Sequence, residues 1–368
     1  MRVALRLARR GLGGTSPNPM VGAVLVKGGR VLGRGWHHQA GEPHAEIEAL
    51  RDAQRRGHSA RGATLYVSLE PCCTQGRTPP CTEAIIAAGI YKVVVGTIDP
   101  NPRHAGTGLS LLRKAGLRVT QGVLENECSR LNEAFNHWIV HRRPFITVKA
   151  AMTLDGKIAT ATGDSKWITS PLARALGMQW RQSVDAILVG INTVLADDPN
   201  LTARSPEGAT SITRKHPLHR IVLDAYGRTP SNSKVLNDIG ATPTSVVVTR
   251  AAPVHRRRRL AKKARVLVAP GTNGHIDLPW LLDRLGSESV VSLLVEGGGE
   301  VNASFILGGL AQKVAFFYAP KVLGGAHSRK AVAGEGAQGL HDALQLADVE
   351  WRRLGPDWLL TALIKGKK

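Results

Sequence analysis

The chain has 368 residues, of which 43% are hydrophobic and 21% charged, and this length and balance suit a globular protein of two domains. Its formal net charge of +21 favours anionic partners, but charge alone does not choose among nucleic acid, a membrane surface and phosphorylated small molecules. Four cysteines are too few for a disulfide scaffold, and no apolar run approaches the roughly 20 residues of a membrane span. We therefore expect a soluble, cytoplasmic protein.

The first half of the chain predicts alternating strands and helices. Arginines interleaved with apolar residues over 2–10 indicate an amphipathic helix instead of a secretory signal. The glycines of Lys27-Gly28-Gly29 indicate a hairpin turn. Apolar runs predict strands over 20–26, 30–36, 64–69 and 92–97, and helical patterns cover 44–56, 82–88, 109–115 and 124–138.

A second α/β series begins after a predicted linker at 141–144, which divides the chain into domains of residues 1–143 and 144–368. Because continuous apolar strands alternate here with helices, we expect a largely parallel central sheet. The polar stretch 203–219 is a predicted loop, and the basic run 255–259 is a predicted solvated helix face. Strands are predicted over 145–151, 186–189, 220–224, 245–249, 265–269, 292–296 and 314–319.

The first group of chemical residues is typical of a zinc deaminase. His44 begins a predicted helix, Cys72 follows a predicted strand after Pro71, and Cys81 opens the next helix. One imidazole and two thiolates are good zinc ligands, and three protein ligands leave a fourth position for an activated water. Glu46 lies two residues from a ligand, where it can relay protons between the water and departing ammonia. This order of residues is the signature of zinc nucleobase deaminases.

The loop between the two predicted cysteine ligands argues against a nucleic-acid editing enzyme. Such enzymes usually carry P-C-x-x-C, whereas eight residues separate Cys72 from Cys81 here. A His-x-Glu sequence alone is common, and Pro-Cys-Cys alone would be read as a buried turn. The prediction therefore depends on the whole set, taken in this order and on these elements.

Several motifs resemble the bacterial bifunctional riboflavin-biosynthesis deaminase/reductase family. They are Pro17-Asn18-Pro19-x-Val21-Gly22, Gly41-Glu42-Pro43-His44-Ala45-Glu46, Glu70-Pro71-Cys72, Gly76-Arg77-Thr78-Pro79-Pro80-Cys81 and Asp99-Pro100-Asn101-Pro102. The resemblance implies an α/β chain with an N-terminal cytidine-deaminase-like three-layer domain and a C-terminal dihydrofolate-reductase-like domain. It also implies zinc on His44, Cys72 and Cys81, Glu46 as the proton shuttle, and a phosphorylated pyrimidine ribotide as the substrate.

The same resemblance places Asn18 and Asn101 in motifs that line the pyrimidine pocket, although both residues also suit turns beside proline. One departure concerns this pocket. The family usually has Ser-His after the first zinc cysteine, and here Cys73-Thr74 stand instead. If that histidine contacts substrate, Thr74 must shorten or replace the contact.

The second group of motifs resembles the reductase half of the same family. Lys149 to Ala159 leave a predicted strand through an Asp-Gly turn, Ser170-Pro171 begin a helix, and Leu294-Val295-Glu296-Gly297-Gly298-Gly299 run from a strand into a glycine turn. A glycine turn by itself is more often a tight strand-to-helix connection than a cofactor site. The resemblance implies NADPH at Ala151, Trp167, Thr193, Asp197, Gly298 and Gly299, and substrate at Ser165, Arg181, Leu201, Arg204 and Glu296.

Other expectations concern the reductase half and the assembly. Guanidinium groups at Arg181 and Arg204 suit a ribose phosphate, and Arg250 at a strand end is a candidate for the 2′-phosphate of NADPH. Lys149 and Asp155 are candidate positioning groups. The family commonly forms homodimers, and we expect no nucleic-acid partner and no membrane association.

Two alternatives remain open at this point. The first is a deaminase acting on cytidine or adenosine in nucleic acid, with a basic accessory domain, which explains the charge but not the long loop after Cys72 or the reductase motifs. The second is a zinc-stabilised scaffold without activity. Such a scaffold needs a closed site with four ligands, the fourth supplied by Cys73 or Cys128.

Overall fold

The chain forms two compact units, one of residues Met1–Arg142 and one that begins at Arg143. The structure is a computed structural model, and it describes residues 1–76, 79–203, 217–237, 242–271 and 274–366. Within these residues no helix combines the length and the apolar character needed to cross a membrane.

The first unit is built on a five-stranded mixed sheet with the strand order β2-β1-β3-β4-β5. The pairs β2-β1 and β1-β3 are antiparallel, whereas β3-β4 and β4-β5 are parallel. Its strands are β1 (Gly22–Lys27), β2 (Arg30–Trp36), β3 (Thr64–Leu69), β4 (Lys92–Thr97) and β5 (Arg118–Thr120), and its helices are α1 (Arg2–Ala8), α2 (Ala45–Arg55), α3 (Cys81–Ala87), α4 (Thr107–Lys114), α5 (Glu125–Leu131) and α6 (Glu133–His141).

Helix α2 packs closely on the sheet because small residues face it. A Cβ atom added at Gly35 on β2 would lie 2.2 Å from the carbonyl oxygen of Ala45, so only glycine allows this approach. Ala45, Ala49 and Ala53 are fully buried on the facing side of the helix. The close packing fixes the N-terminal turn of α2 against the sheet.

The second unit contains a nine-stranded sheet with the order β11-β10-β9-β8-β12-β6-β13-β16-β15. The first seven of these strands are parallel, and β13-β16-β15 are antiparallel, so the predicted largely parallel sheet is confirmed. The strands of this sheet are β6 (Phe145–Thr153), β8 (Ala186–Gly190), β9 (His219–Leu223), β10 (Thr244–Val248), β11 (Arg265–Val268), β12 (Ser292–Val295), β13 (Lys313–Ala319), β15 (Leu346–Leu354) and β16 (Asp357–Ile364). A separate two-stranded sheet pairs β7 (Lys157–Ala159) with β14 (Arg329–Lys330). The helices are α7 (Pro171–Ser183), α8 (Ile191–Asp197), α9 (Val254–Ala261), α10 (Leu278–Ser287) and α11 (Gly299–Ile306).

Several local predictions are confirmed. The hairpin glycines Gly28 and Gly29 have φ of 54° and 75°, as a tight β1-β2 turn requires. The Ser170 side chain accepts a hydrogen bond from the backbone N–H of Ala173 and caps α7, in which proline is the first residue.

One sequence prediction is wrong in detail. The helix predicted over 124–138 is two helices, because Asn132 leaves the helical conformation with φ −114° and ψ 25° between α5 and α6. The basic run of α9 is solvated as predicted, with His255, Arg258 and Arg259 exposed. Its side chains also hold a neighbouring loop, since Arg256 donates to the carbonyl oxygen of Tyr226, and Arg259 to those of Gly227 and Thr229. The predicted loop at 203–219 lies mostly outside the described residues.

Candidate active sites

The three predicted zinc ligands come together in the first unit. His44 precedes α2, Cys72 follows β3, and Cys81 is the first residue of α3. The Nδ1 atom of His44 lies 3.2 Å from the Sγ atom of Cys81 and 3.4 Å from that of Cys72. All three ligand atoms lie within 4.8 Å of one another, and no other such cluster of three or more metal-binding side chains occurs in the part of the chain that is described.

These distances fit a tetrahedral zinc ion. Bond lengths of about 2.3 Å to sulfur and about 2.0 Å to nitrogen imply nitrogen–sulfur separations of roughly 3.5 Å around one ion. Cys73 and Cys128 are not members of the cluster. Cys128 is buried on α5 and packs against Gly96 of β4, since a Cβ atom added at Gly96 would lie 2.3 Å from the Cys128 sulfur. The donor set is therefore the open three-ligand kind, which does not favour a closed structural site.

Glu46 lies in the first turn of α2 and is 3% exposed. Burial, the largest influence, raises the pKa of Glu46 to about 7, although His44 and a hydrogen bond with Cys81 act in the opposite direction. Hydrogen bonds from Cys81 and His44 lower the pKa of the Cys72 thiol, which favours the thiolate that a metal requires. The site thus combines metal ligands with a carboxyl group that can take and give protons near neutrality.

A cavity of about 380 Å³ adjoins the cluster. Its lining includes His44, Glu46 and Cys72 from the cluster, and both asparagines predicted to meet the pyrimidine, Asn18 and Asn101. The aromatic and aliphatic part of the lining comes from α6, through Phe135, Trp138 and Ile139. A planar ring beside the metal ligands would therefore meet apolar side chains and amide groups in one pocket.

Hydrogen bonds fix the orientation of the Asn18 amide. The Nδ1 atom of His37 lies 3.1 Å from the carbonyl oxygen of Pro43, which can only accept, so this ring nitrogen carries the proton. Burial lowers the pKa of His37, which favours the neutral ring. Its Nε2 atom then accepts from the Nδ2 group of Asn18 at 3.0 Å. The carbonyl oxygen of Asn18 remains to accept an N–H group. Sequence reasoning missed His37, although it stands seven residues before His44.

Glu70, predicted only as part of the Glu70-Pro71-Cys72 motif, organises the loop after β4. Its carboxylate accepts hydrogen bonds from the backbone N–H groups of Asp99, Gly106, Gly108 and Leu109. This loop carries Asn101, whose side-chain oxygen accepts from the backbone N–H of Arg103. Asn101 therefore combines the turn chemistry of its motif with a position in the cavity wall.

In the second unit, five of the six residues predicted to meet NADPH lie at the carboxyl edge of adjacent parallel strands. Ala151 is near the end of β6, Thr193 and Asp197 lie on α8 directly after β8, and Gly298 and Gly299 follow β12. Because β8, β12 and β6 are neighbours, these segments share one edge of the sheet. Trp167 is 64% exposed and stacks under the guanidinium group of Arg174.

The glycine turn after β12 has a steric reason. An added Cβ atom would lie 2.6 Å from Val301 at Gly297 and 2.3 Å from the Lys330 carbonyl oxygen at Gly299. At Gly298, by contrast, it would meet nothing within 4 Å. Gly297 and Gly299 are therefore required by the packing of a tight strand-to-helix connection. Gly298, at the N-terminus of α11, instead leaves open space.

A buried ion-pair cluster surrounds Glu296, the residue directly after β12. Arg181 donates from Nε and Nη2 to the two carboxylate oxygens of Glu296 at 2.9 and 2.8 Å, and Lys149 lies 3.7 Å from Glu296. Burial alone would raise the pKa of Glu296, but Lys149 and Arg181 outweigh it and hold that pKa at about 2. Arg181 also lies 3.5 Å from the Thr202 carbonyl oxygen, beside buried Leu201. Three predicted substrate residues, Arg181, Leu201 and Glu296, are therefore neighbours.

The remaining reductase residues are less informative. Ser165 is partly buried in the loop before α7. Arg204, like Arg77 and Thr78 of the first motif set, lies outside the described residues. The Asp155 carboxylate accepts from the Thr153 hydroxyl and from the backbone N–H groups of Leu323 and Gly324, so it holds the β6-β7 turn to another loop.

Two families of known proteins match the two parts of the chain. Residues 1–97 match the cytidine and deoxycytidylate deaminase zinc-binding region, and residues 144–360 match the RibD C-terminal domain. The chain is thus a bifunctional enzyme that joins a zinc-binding deaminase region to a reductase domain. The predicted fold class, cytidine-deaminase-like followed by dihydrofolate-reductase-like, is confirmed.

The chain belongs to the RibD family of riboflavin biosynthesis proteins. It is 42% identical to the riboflavin biosynthesis protein RibD of Bacillus amyloliquefaciens over 368 residues, which is 100% of this chain and 96% of that protein. It also resembles the solved structure of Acinetobacter baumannii RibD, form 1, with a TM-score of 0.86 and 36% identity, covering 99% of this chain and 97% of that one.

A third relative is named for both activities. It is the Thermotoga maritima diaminohydroxyphosphoribosylaminopyrimidine deaminase/5-amino-6-(5-phosphoribosylamino)uracil reductase, with a TM-score of 0.82 and 34% identity, covering 99% of this chain and 97% of that one. The family expected from the motifs is confirmed, and the nucleic-acid deaminase alternative is not favoured.

Proposed function

We propose that residues 1–143 hydrolytically remove the 2-amino group of 2,5-diamino-6-ribosylamino-4(3H)-pyrimidinone 5′-phosphate. Residues 144–368 then reduce the ribosyl side chain of the product to ribityl with NADPH. The single observation that carries the first half is the cluster of His44, Cys72 and Cys81 beside buried Glu46. His44, Cys72 and Glu46 line one cavity. Family membership supports the second half.

In the deaminase site, His44, Cys72 and Cys81 would hold zinc. The bound ion supplies Lewis acidity and lowers the pKa of water toward neutrality. Glu46 takes a proton from the attacking water and gives one to the departing amine, which suits a carboxyl group with a pKa of about 7. Asn18 accepts an N–H group of the pyrimidine through the oxygen that His37 leaves exposed. Phe135 and Trp138 provide apolar contact with the ring.

In the reductase site, Ala151, Trp167, Thr193, Asp197, Gly298 and Gly299 would hold NADPH, which supplies hydride to C1′ of the opened sugar. Open space at Gly298 suits the close approach of a pyrophosphate to the N-terminus of α11. Arg181, Leu201 and Glu296, together with Ser165 and Arg204, would contact the substrate. Here Glu296 already holds the guanidinium fork of Arg181, so the pair presents a fixed arrangement of charge to the substrate.

A paired substitution tests the deaminase assignment. Glu46→Gln keeps the shape of the side chain but removes its proton transfer, so ammonia release should fall by roughly 100-fold or more while zinc content stays at one ion per chain. Glu48→Gln on the same helix is the matched control, since its carboxylate pairs with the exposed Arg51. Ammonia release by Glu46→Gln equal to that of the control would contradict the proposal.

The expected cytoplasmic location and homodimer are further parts of this proposal. Family resemblance supports the dimer, and sedimentation equilibrium of the purified chain tests it, with a mass near one chain as the contradicting result. A phosphorylated substrate accounts for the net charge of +21 without any nucleic-acid partner.

A further inference from the structure

Thr74 is paired with the imidazole ring of a histidine from another part of the chain. Thr74 stands in the loop after the first zinc cysteine, where the resembling family usually has a histidine. The hydroxyl of Thr74 lies 2.9 Å from the Nε2 atom of His104, which belongs to the loop after β4. Both side chains line the cavity beside the metal ligands. A histidine ring therefore occupies this part of the wall, although it comes from a residue 30 positions away.

A hydrogen bond to Asp99 fixes the orientation of the His104 ring. Its Nδ1 atom lies 2.8 Å from the Oδ2 atom of Asp99, which as a carboxylate can only accept, so Nδ1 carries a proton. The other carboxylate oxygen of Asp99 accepts from the backbone N–H of Asn101. Nε2 is thereby directed toward Thr74 and the cavity. The hydrogen bond with Asp99 raises the pKa of His104, which favours the doubly protonated ring with a second donor at Nε2.

The two ends of the cavity lining differ in exposure. Glu46, at the metal cluster, is buried, whereas Thr74 and Gly76 are exposed. If the ring to be deaminated lies at the metal cluster, the ribose phosphate extends toward the exposed end. There the Nε2–H group of His104 and the hydroxyl of Thr74 form a pair of donors suited to phosphate oxygens.

We propose that His104, held by Asp99 and paired with Thr74, binds the 5′-phosphate of the ribotide in the deaminase pocket and sets the preference for phosphorylated substrate. This inference rests on the proposed deaminase function. His104 acts on specificity, since the hydrogen bonds place it on the wall and not among the metal ligands. Binding exchanges the Thr74–His104 hydrogen bond for bonds from both side chains to phosphate oxygens.

The experiment compares deamination of the 5′-phosphorylated ribotide with that of its dephosphorylated form by the full-length, zinc-loaded protein. We expect wild type to show a higher kcat/KM for the phosphorylated compound. In His104→Gln the ratio of the two kcat/KM values should fall by roughly 10- to 100-fold, the range for losing a hydrogen bond to a charged group, with the change mainly in KM. Thr74→Ala, an exposed substitution that spares the buried Asp99 contact, should lower the ratio by a smaller factor. His58→Gln, outside the cavity lining, is the control.

The outcomes separate this inference from the proposed function. An unchanged ratio in His104→Gln, or equal losses on both substrates, would overturn the role of His104 while leaving the deaminase assignment in place. Equal wild-type rates on the two substrates would also overturn the inference. No ammonia from either substrate would instead contradict the proposed function. Zinc content equal to wild type shows that each variant has kept its metal site.

Discussion

Replacing Glu70 with glutamine tests whether its buried carboxylate holds the pocket loop. Oε1 accepts from the N–H groups of Gly108 and Leu109 at 2.9 and 3.4 Å, and Oε2 from those of Gly106 and Asp99 at 2.9 and 3.1 Å. In Glu70→Gln one oxygen becomes an NH₂ group, which cannot accept. Two backbone N–H groups therefore lose their partners, at about 1–3 kcal/mol each, or about 2–6 kcal/mol together.

Hydrogen exchange of the backbone amides over residues 99–109 measures this cost locally. The loss should speed exchange by roughly 30-fold or more, since 1.4 kcal/mol corresponds to a factor of about 10. Deamination should weaken as well, because the loop carries Asn101 and His104. Glu83→Gln changes an exposed carboxylate on α3 and serves as the control. Exchange at the control rate in Glu70→Gln would refute the reasoning.

Three further predictions concern single side chains. His37→Leu removes the acceptor that orients Asn18, so kcat/KM for deamination should drop by roughly 10-fold, and His37→Gln, which retains an acceptor, should recover part of it; equal losses in both would count against the orienting role. Because the pKa of Glu296 is held at about 2 against an ordinary 4.5, its charged form stabilises the fold above pH 4.5, and this contribution disappears as the pH falls toward 2. The urea midpoints of wild type and Glu296→Gln should thus converge over that pH range, and a constant gap would be the contrary result. Arg250 is exposed after β10, and Arg250→Ala should reduce the preference for NADPH over NADH; an unchanged preference would exclude contact with the 2′-phosphate.

The zinc cluster was predictable because its chemistry restricts residue type and order. Few residues bind zinc, and His44, Cys72 and Cys81 each stand at the start of a helix or the end of a strand that the hydrophobic pattern already indicated. The buried parallel strands were predictable for a similar reason, since a strand covered on both faces is apolar throughout. β2, β3 and β4 match their predicted bounds.

Residues that act through another side chain were not predictable. Glu70 and His37 are defined by what they hydrogen-bond, and neither set of partners follows from the spacing of their own motif. The pair of Thr74 and His104 joins two loops that are distant in sequence. The threonine at position 74 therefore gave no indication that His104 lies beside it. The structure was needed to bring them together.

The β15-β16 hairpin was missed for a different reason. β15 is an edge strand whose side chains are mostly exposed, so charged residues such as Arg352 and Arg353 interrupt the apolar pattern. A register shift between Ala347 and Glu350 further disturbs its alternation. Edge strands protected by charge in this way carry little hydrophobic signal.

The most direct test of the bifunctional account is a coupled assay with the diamino-pyrimidinone ribotide, zinc and NADPH. Ammonia release and the loss of nicotinamide absorbance are followed together in wild type and in Glu46→Ala. The account predicts that wild type releases ammonia and oxidises NADPH, that Glu46→Ala does neither with this substrate, and that supplying the deaminated ribotide restores NADPH oxidation to the variant. NADPH oxidation by Glu46→Ala at the wild-type rate, without added deaminated ribotide, would contradict the order of the two steps.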